Sequence, residues 1–500
     1  MEKNPINLEQ KSNKDSEINL CSLLDGIIRV PMPYHRFTPC ELGDLCRALP
    51  GNVITLLTYE GDLPKEYRDV ANTYSNVEIH DLLPYRGKVQ VSASAKTVVQ
   101  SISDTFNSIL TPLIWERGTT SIRERISLVL RGNRKSFLKG SADITLQLLQ
   151  WQNELSGIGA NLVIYETTPH DYNSWAQMQM ALCLDLTILI ISRSAIPGFQ
   201  RVYQLKGDNR SPLSTAAISE EHRRLYRERA NRLIRALKSS YEEAMPDYER
   251  KRALESGGKY ISVKRLIRNH WYVPFQLWNT IQSWRVLDKY SVQVSDLVPN
   301  SFCVLFLHYQ PERTTVPDGG LFGAQLNALV TLRASLPRNI RLLVKEHPST
   351  FRYRCDPLAR DPDFYQKVSS IEGVDWIDIS TDNFELIDKA FVTATITGTV
   401  ALESLVRGTP SIMFGWSYFG KSEGFLPYSD SAGLDSFIAE LREGKFPRDV
   451  VSKAAADMLM REEKWVFCCE STSFSKTKTT ALSALFSRKE THPLRETHEG

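Results

Sequence analysis

Cys303-Val-Leu-Phe-Leu-His-Tyr309, Ile340-Arg-Leu-Leu-Val-Lys-Glu346 and Phe391-Val-Thr-Ala-Thr-Ile396 are the three apolar runs that decide how this chain folds. Each suits a strand buried on both faces, and helical patterns separate them. They therefore predict parallel strands joined by crossover helices. Each run also closes on polar residues: Gln310-Pro-Glu-Arg-Thr-Thr315, His347-Pro348 and Thr397-Gly-Thr399, the last opening a helix that carries Glu403. In open parallel sheets ligands sit beyond the carboxyl ends of the strands. Three polar clusters at strand ends thus predict one convergent site within 302–415.

The same pattern recurs toward the N-terminus. Asn52-Val-Ile-Thr-Leu-Leu-Thr-Tyr59, Asn161-Leu-Val-Ile-Tyr-Glu166 and Leu186-Thr-Ile-Leu-Ile-Ile191 read as buried strands, and Asp143–Leu155 as an amphipathic helix closing at Gly157. A chain of 500 residues exceeds one ordinary core. The expected organisation is a disordered leader over 1–17, a Rossmann-like domain over 18–205 and a basic helical insert over 206–300. A second Rossmann-like domain over 301–445 and a C-terminal helix with a polar tail over 446–500 complete it.

The insert admits two readings. Glu220 to Tyr248 is rich in Arg and Glu, with Tyr226, Ala230, Leu233, Ile234, Leu237 and Tyr241 on one apolar face. It could meet an anionic membrane or polysaccharide, or be a solvated helix packed on its apolar side. A net charge of +3 is too small to imply a nucleic-acid partner. The 8 Cys are scattered without metal-ligand spacing, which suits a reduced, cytoplasmic chain. No apolar signal core opens the sequence, and no window reaches the ~18 apolar residues of a spanning helix. The expected location is cytoplasmic, with any contact at the inner face of the membrane peripheral.

The polar clusters suggest specific chemistry. A strand turning directly into a helix at Thr397, Gly398 and Thr399 aims backbone N–H groups at a phosphate, and Glu403 could take ribose hydroxyls. The alternative is an ordinary N-cap with a favourable carboxylate. Period-two alternation places Lys345 and His347 on one strand face, a cation and an imidazole suited to a leaving phosphate. Gln310, Glu312 and Arg313 could contact a nucleoside, sugar or phosphate, or form a surface pair. The chain lacks a Gly-x-Gly-x-x-Gly fingerprint, so dehydrogenase chemistry is disfavoured, and neither metal nor cofactor is expected.

Leu307-His-Tyr-Gln-Pro-Glu-Arg-Thr-Thr315, Val344-Lys-Glu-His-Pro348 and Ile396-Thr-Gly-Thr-Val-Ala-Leu-Glu403 together resemble the bacterial capsule polysaccharide biosynthesis family, which includes Kdo transferases. The His-Pro pair also resembles a motif of bacterial sialyltransferases acting on CMP-sugars. The resemblance covers roughly 302–418. It implies a GT-B fold, two Rossmann-like parallel-sheet domains facing a cleft, and metal-independent inverting transfer from a nucleotide-sugar to a glycan or lipid-linked glycan. By position, His347, Thr397 and Thr399 would hold the donor phosphate, and Gln310 and Glu403 the nucleoside or sugar. The resemblance also places a base in the N-terminal half. Glu60, Asp62, Glu166, His170 and Asp171 lie at strand ends there, with Asp171 or Glu166 favoured. A non-catalytic assembly or export scaffold and a nucleotide-sugar epimerase are the competing expectations.

Overall fold

The computed structural model describes residues 29–33, 38–48, 52–59, 63–82, 134–169, 172–206, 209–213, 219–240, 243, 274–309, 315, 318–352, 360 and 362–469. In the N-terminal half the strands are β1 (Arg29–Pro33), β2 (Val53–Tyr59), β3 (Val77–Leu82), β4 (Leu162–Tyr165), β5 (Thr187–Arg193), β6 (Phe199–Lys206) and β7 (Asn209–Pro212). There follow β8 (Ser291–Val292), β9 (Phe302–Phe306), β10 (Arg341–Lys345), β11 (Val374–Ile377), β12 (Val392–Thr395), β13 (Ser411–Met413), β14 (Phe425–Pro427) and finally β15 (Val466–Cys468).

Among the described residues the C-terminal sheet has seven strands in the order β14-β13-β12-β9-β10-β11-β8, all parallel. At its centre β9 feeds both faces. Phe302, Val304 and Phe306 enter one apolar core, and Cys303, Leu305 and Leu307 enter another. Burial on both sides explains why this strand is written as an unbroken apolar run. Its carboxyl end lies between those of β10 and β12.

The N-terminal half holds a parallel sheet, β1-β2-β3, and a mixed one in which β4 and β5 are parallel. The two meet where Asn161 N–H donates to Arg29 O (3.3 Å) and Arg29 N–H to Asn161 Oδ1 (2.8 Å). Val30, Ile54 and Leu56 share one core with Leu162, Ile164 and Leu189 across that seam. The strands thus run 3-2-1-4-5-6, the doubly wound order. Two such α/β units are the mixed α/β architecture expected of the GT-B class.

Several expected details are corrected. The N-terminal unit is not wholly parallel: β6 runs antiparallel to β5, because the Ser194–Gly198 turn is too short for a parallel crossover. The sheet extends past residue 205, since β7 pairs with β6. From the far end of the chain β15 returns to the same edge of β6, and β8 joins the C-terminal sheet.

The helix expected over 220–248 occupies Glu220–Lys238, with Ser219 Oγ accepting from His222 N–H at its start. Its Tyr226, Ala230, Ile234 and Leu237 are buried in the core shared with the helices Val400–Val406 and Arg448–Arg461. The Tyr226 hydroxyl donates to Leu459 O at 2.8 Å. That apolar face is used inside the protein, so it cannot serve as the lipid-facing side of a membrane helix. Residues 244–273, the rest of the basic stretch, lie outside the described residues. Among the described residues no helix is long and apolar enough to cross a membrane.

Candidate functional site

Glu346 organises the carboxyl end of β10. It is fully buried, which a lone carboxylate would not tolerate. Four donors compensate. Oε1 accepts from the His347 N–H (2.8 Å) and the Thr350 hydroxyl (3.0 Å). Oε2 accepts from Arg360 Nε (2.8 Å) and the Tyr365 hydroxyl (2.9 Å). Arg360 also donates to His308 O at 3.1 Å, tying the end of β10 to the end of β9. The His347-Pro348 turn is therefore shaped by the carboxylate one residue earlier.

His308 links β9 to β12. Its backbone N–H donates to Gln325 Oε1 (2.8 Å) and its carbonyl accepts from Gln325 Nε2 (3.0 Å), so a buried amide stands in for a neighbouring strand. Its Nε2 accepts the Thr397 N–H at 3.2 Å and lies 3.3 Å from Thr395 Oγ1. A backbone N–H can only donate, so this ring nitrogen is unprotonated and the ring proton sits on Nδ1. The Thr397–Thr399 turn rests on that imidazole. Gly398 permits the approach: a Cβ there would fall 2.7 Å from Thr395 Oγ1 and 3.5 Å from His308 Nε2.

His347 is half-buried, with the Tyr309 ring beside it (centroids 5.2 Å apart). Tyr309 follows His308, so His347 flanks the end of β9 on one side and the turn supported by His308 flanks it on the other. Thr397 is buried in this turn, whereas Thr399 is exposed and donates its hydroxyl to Glu403 Oε1 at 2.9 Å. The structure thus gathers Thr397, Gly398, Thr399 and Glu403 after β12, with His347 after β10 on the other side of β9.

Lys345 does not join them, contrary to the expectation from strand alternation. Its side chain is buried, and Nζ donates to the carbonyls of Asp378 (2.7 Å), Ile379 (2.7 Å) and Thr381 (2.9 Å). An ammonium has three hydrogens, and all are committed to the loop after β11. Burial pushes its pKa down to about 7, opposed by the negative charges of Asp378 and Asp382. Lys345 is a fastener of the sheet's end, not a cation presented to the cleft. Its backbone alternation was read correctly, but β10 ends at Lys345, and the turn imposed by Glu346 breaks the shared face.

Gln310, Glu312 and Arg313, like Asp171, His170, Glu60 and Asp62, lie outside the described residues. Glu166 is half-buried directly after β4, and two residues on, Thr168 Oγ1 accepts from Arg210 Nη1 at 3.1 Å. Among the described residues no three His, Cys, Asp or Glu gather as a metal-binding group. Glu346 carries no sign of its organising role in the sequence, where it is one residue of a strand end. Arg360 and Gln325 carried no local signal, since their partners are distant in sequence.

No family model and no curated protein matches the chain. Among solved structures it is similar to the UDP-GlcNAc 2-epimerase of Neisseria meningitidis bound to UDP-GlcNAc, at 10% identity and a TM-score of 0.22, over 88% of this chain and 98% of that one. It is also similar to KpsC of Thermosulfurimonas dismutans, a beta Kdo 2,4 transferase, at 13% identity and a TM-score of 0.26, over 60% of this chain and 79% of that one. The wall teichoic acid polymerase TagF matches at 11% identity and a TM-score of 0.21, over 93% and 90%.

Proposed function

We propose that this protein is a glycosyltransferase that moves an acidic sugar from a CMP-linked donor onto a surface glycan, with inversion and without a metal. The observation that carries the reading is the His308-supported Thr397–Thr399 turn. It sits at the carboxyl end of a central parallel strand, and His347 follows the strand on the other side of β9. The turn offers backbone N–H groups, and His347 an imidazole, to a departing phosphate. Glu403, tied to Thr399, is assigned to the ribose, and Gln310, Glu312 and Arg313 to the donor by sequence position alone. The base that deprotonates the acceptor is assigned to Glu166 or Asp171 of the N-terminal half. The partners in this reading are a nucleotide-sugar and a glycan or lipid-linked glycan.

Transfer measured with His347→Ala tests it. Removing one donor to the leaving phosphate should lower turnover by about 10²–10³ while leaving the melting transition near that of the wild type. A variant of full speed contradicts the assignment. Conversion of a nucleotide-sugar with no acceptor present would instead identify an epimerase.

A further inference from the structure

The two halves meet at a side-chain cluster that none of the site assignments above uses. Arg210, on the edge strand β7, pairs through Nη2 with Asp318 Oδ1 at 2.7 Å, and the two side chains are only 10% and 6% exposed. Nη1 of the same guanidinium donates to Thr168 Oγ1, at 3.1 Å. The guanidinium carbon lies 4.3 Å from the centre of the Trp416 ring, and Tyr203 of β6 packs edge-on to that ring with centroids 4.9 Å apart. Thr168 belongs to the loop after β4 that carries Glu166. Asp318 and Trp416 belong to loops at the carboxyl end of the other sheet.

Those loops lead to the phosphate-type turn. Trp416 N–H donates to Asp318 O at 2.9 Å, and Gly415 N–H to Ile396 O at 2.7 Å. A Cβ on Gly415 would fall 2.5 Å from Thr397 Cγ2 and 2.9 Å from Asp318 O, so these segments are in closest contact. A continuous path therefore runs from Thr168 through Arg210 to Asp318 and Trp416, then through Gly415 to Thr397. A guanidinium suits this junction because its planar fork satisfies two oxygens while its face stacks on an indole.

We infer that Arg210 is a positioning residue of the transfer centre, setting the acceptor-side loop against the donor-side turn. The inference rests on the proposed transfer activity, but its structural half can be read without any substrate. Arg210→Gln leaves Asp318 buried and unpaired. It should raise amide exchange at least tenfold at Gly415 and Trp416 while the strands β9 and β10 keep their protection. Transfer should fall at least tenfold, with the acceptor KM rising and donor-nucleotide affinity staying within twofold. Trp416→Leu removes the stacked face but keeps the ion pair, and should reproduce the acceptor effect in weaker form. Arg210→Lys should recover part of the transfer by restoring the charge toward Asp318.

Unchanged exchange at Gly415 and Trp416 in Arg210→Gln overturns the inference whatever the enzyme does. So does loss of protection spread over the whole sheet, which marks a general stability role. A wild type that transfers nothing, with local exchange still raised by Arg210→Gln, overturns the proposed function and leaves the mechanical link between the loops standing.

Discussion

Glu346→Gln is the substitution that most sharply separates a scaffold carboxylate from a catalytic one. Gln matches its shape, yet each carboxylate oxygen accepts from two donors: His347 N–H and the Thr350 hydroxyl on one, Arg360 and the Tyr365 hydroxyl on the other. Whichever way the new amide turns, its NH₂ faces donors. Arg360, almost fully buried, loses its counter-charge. Removing one partner of a buried pair typically costs about 3–5 kcal/mol, a large share of the ~5–15 kcal/mol that holds a domain folded. Urea unfolding followed by circular dichroism should show a loss of that size. Replacing both charges, with Glu346→Leu and Arg360→Met, should recover a substantial part of it, because no buried charge is then left alone. A loss below about 1 kcal/mol in Glu346→Gln, the range of a single neutral hydrogen bond, would refute the reasoning. So would a double variant that loses as much as the two single losses added together.

Two further outcomes follow from the same geometry. Gly398→Ala pushes a methyl toward Thr395 Oγ1 and His308. It should weaken nucleotide binding about tenfold, or about 1.4 kcal/mol, alongside a stability loss of about 1–3 kcal/mol from overpacking, and unchanged affinity would remove the turn from the site. For Lys345 the folded-state pKa of about 7 lies below the ordinary lysine value. Between those two values the unfolded chain binds the extra proton, so stability from this site rises with pH by at most about 1.4 kcal/mol per unit. Unfolding at pH 7 and pH 9 should show this rise in the wild type and lose it in Lys345→Met. Parallel behaviour of the two proteins would contradict it.

How much of this was legible beforehand depended on the range of the interactions. The strands of the C-terminal sheet were readable because burial on both faces writes itself as an unbroken apolar run, as in β9. The N-terminal sheet was readable only as far as β5. Nothing local in Phe199–Lys206 says that it pairs antiparallel, or that Val466–Cys468 will return to its edge from 265 residues away, as the pairing of Val466 with Arg201 shows. In the site, His347 and the Thr397–Thr399 turn stood out because their residue types and strand-end positions agree. Lys345 was misplaced because alternation describes a strand only while the strand lasts. Arg360, Gln325 and Arg210 act through contacts to partners 14, 17 and 108 residues away, which no short motif reveals.

Calorimetric titration of the wild-type protein with CMP, and with UMP beside it, tests the central claim most directly. CMP should bind saturably at one site, tighter than UMP and weakened by Gly398→Ala. Absence of binding by either nucleotide at millimolar concentration would contradict it.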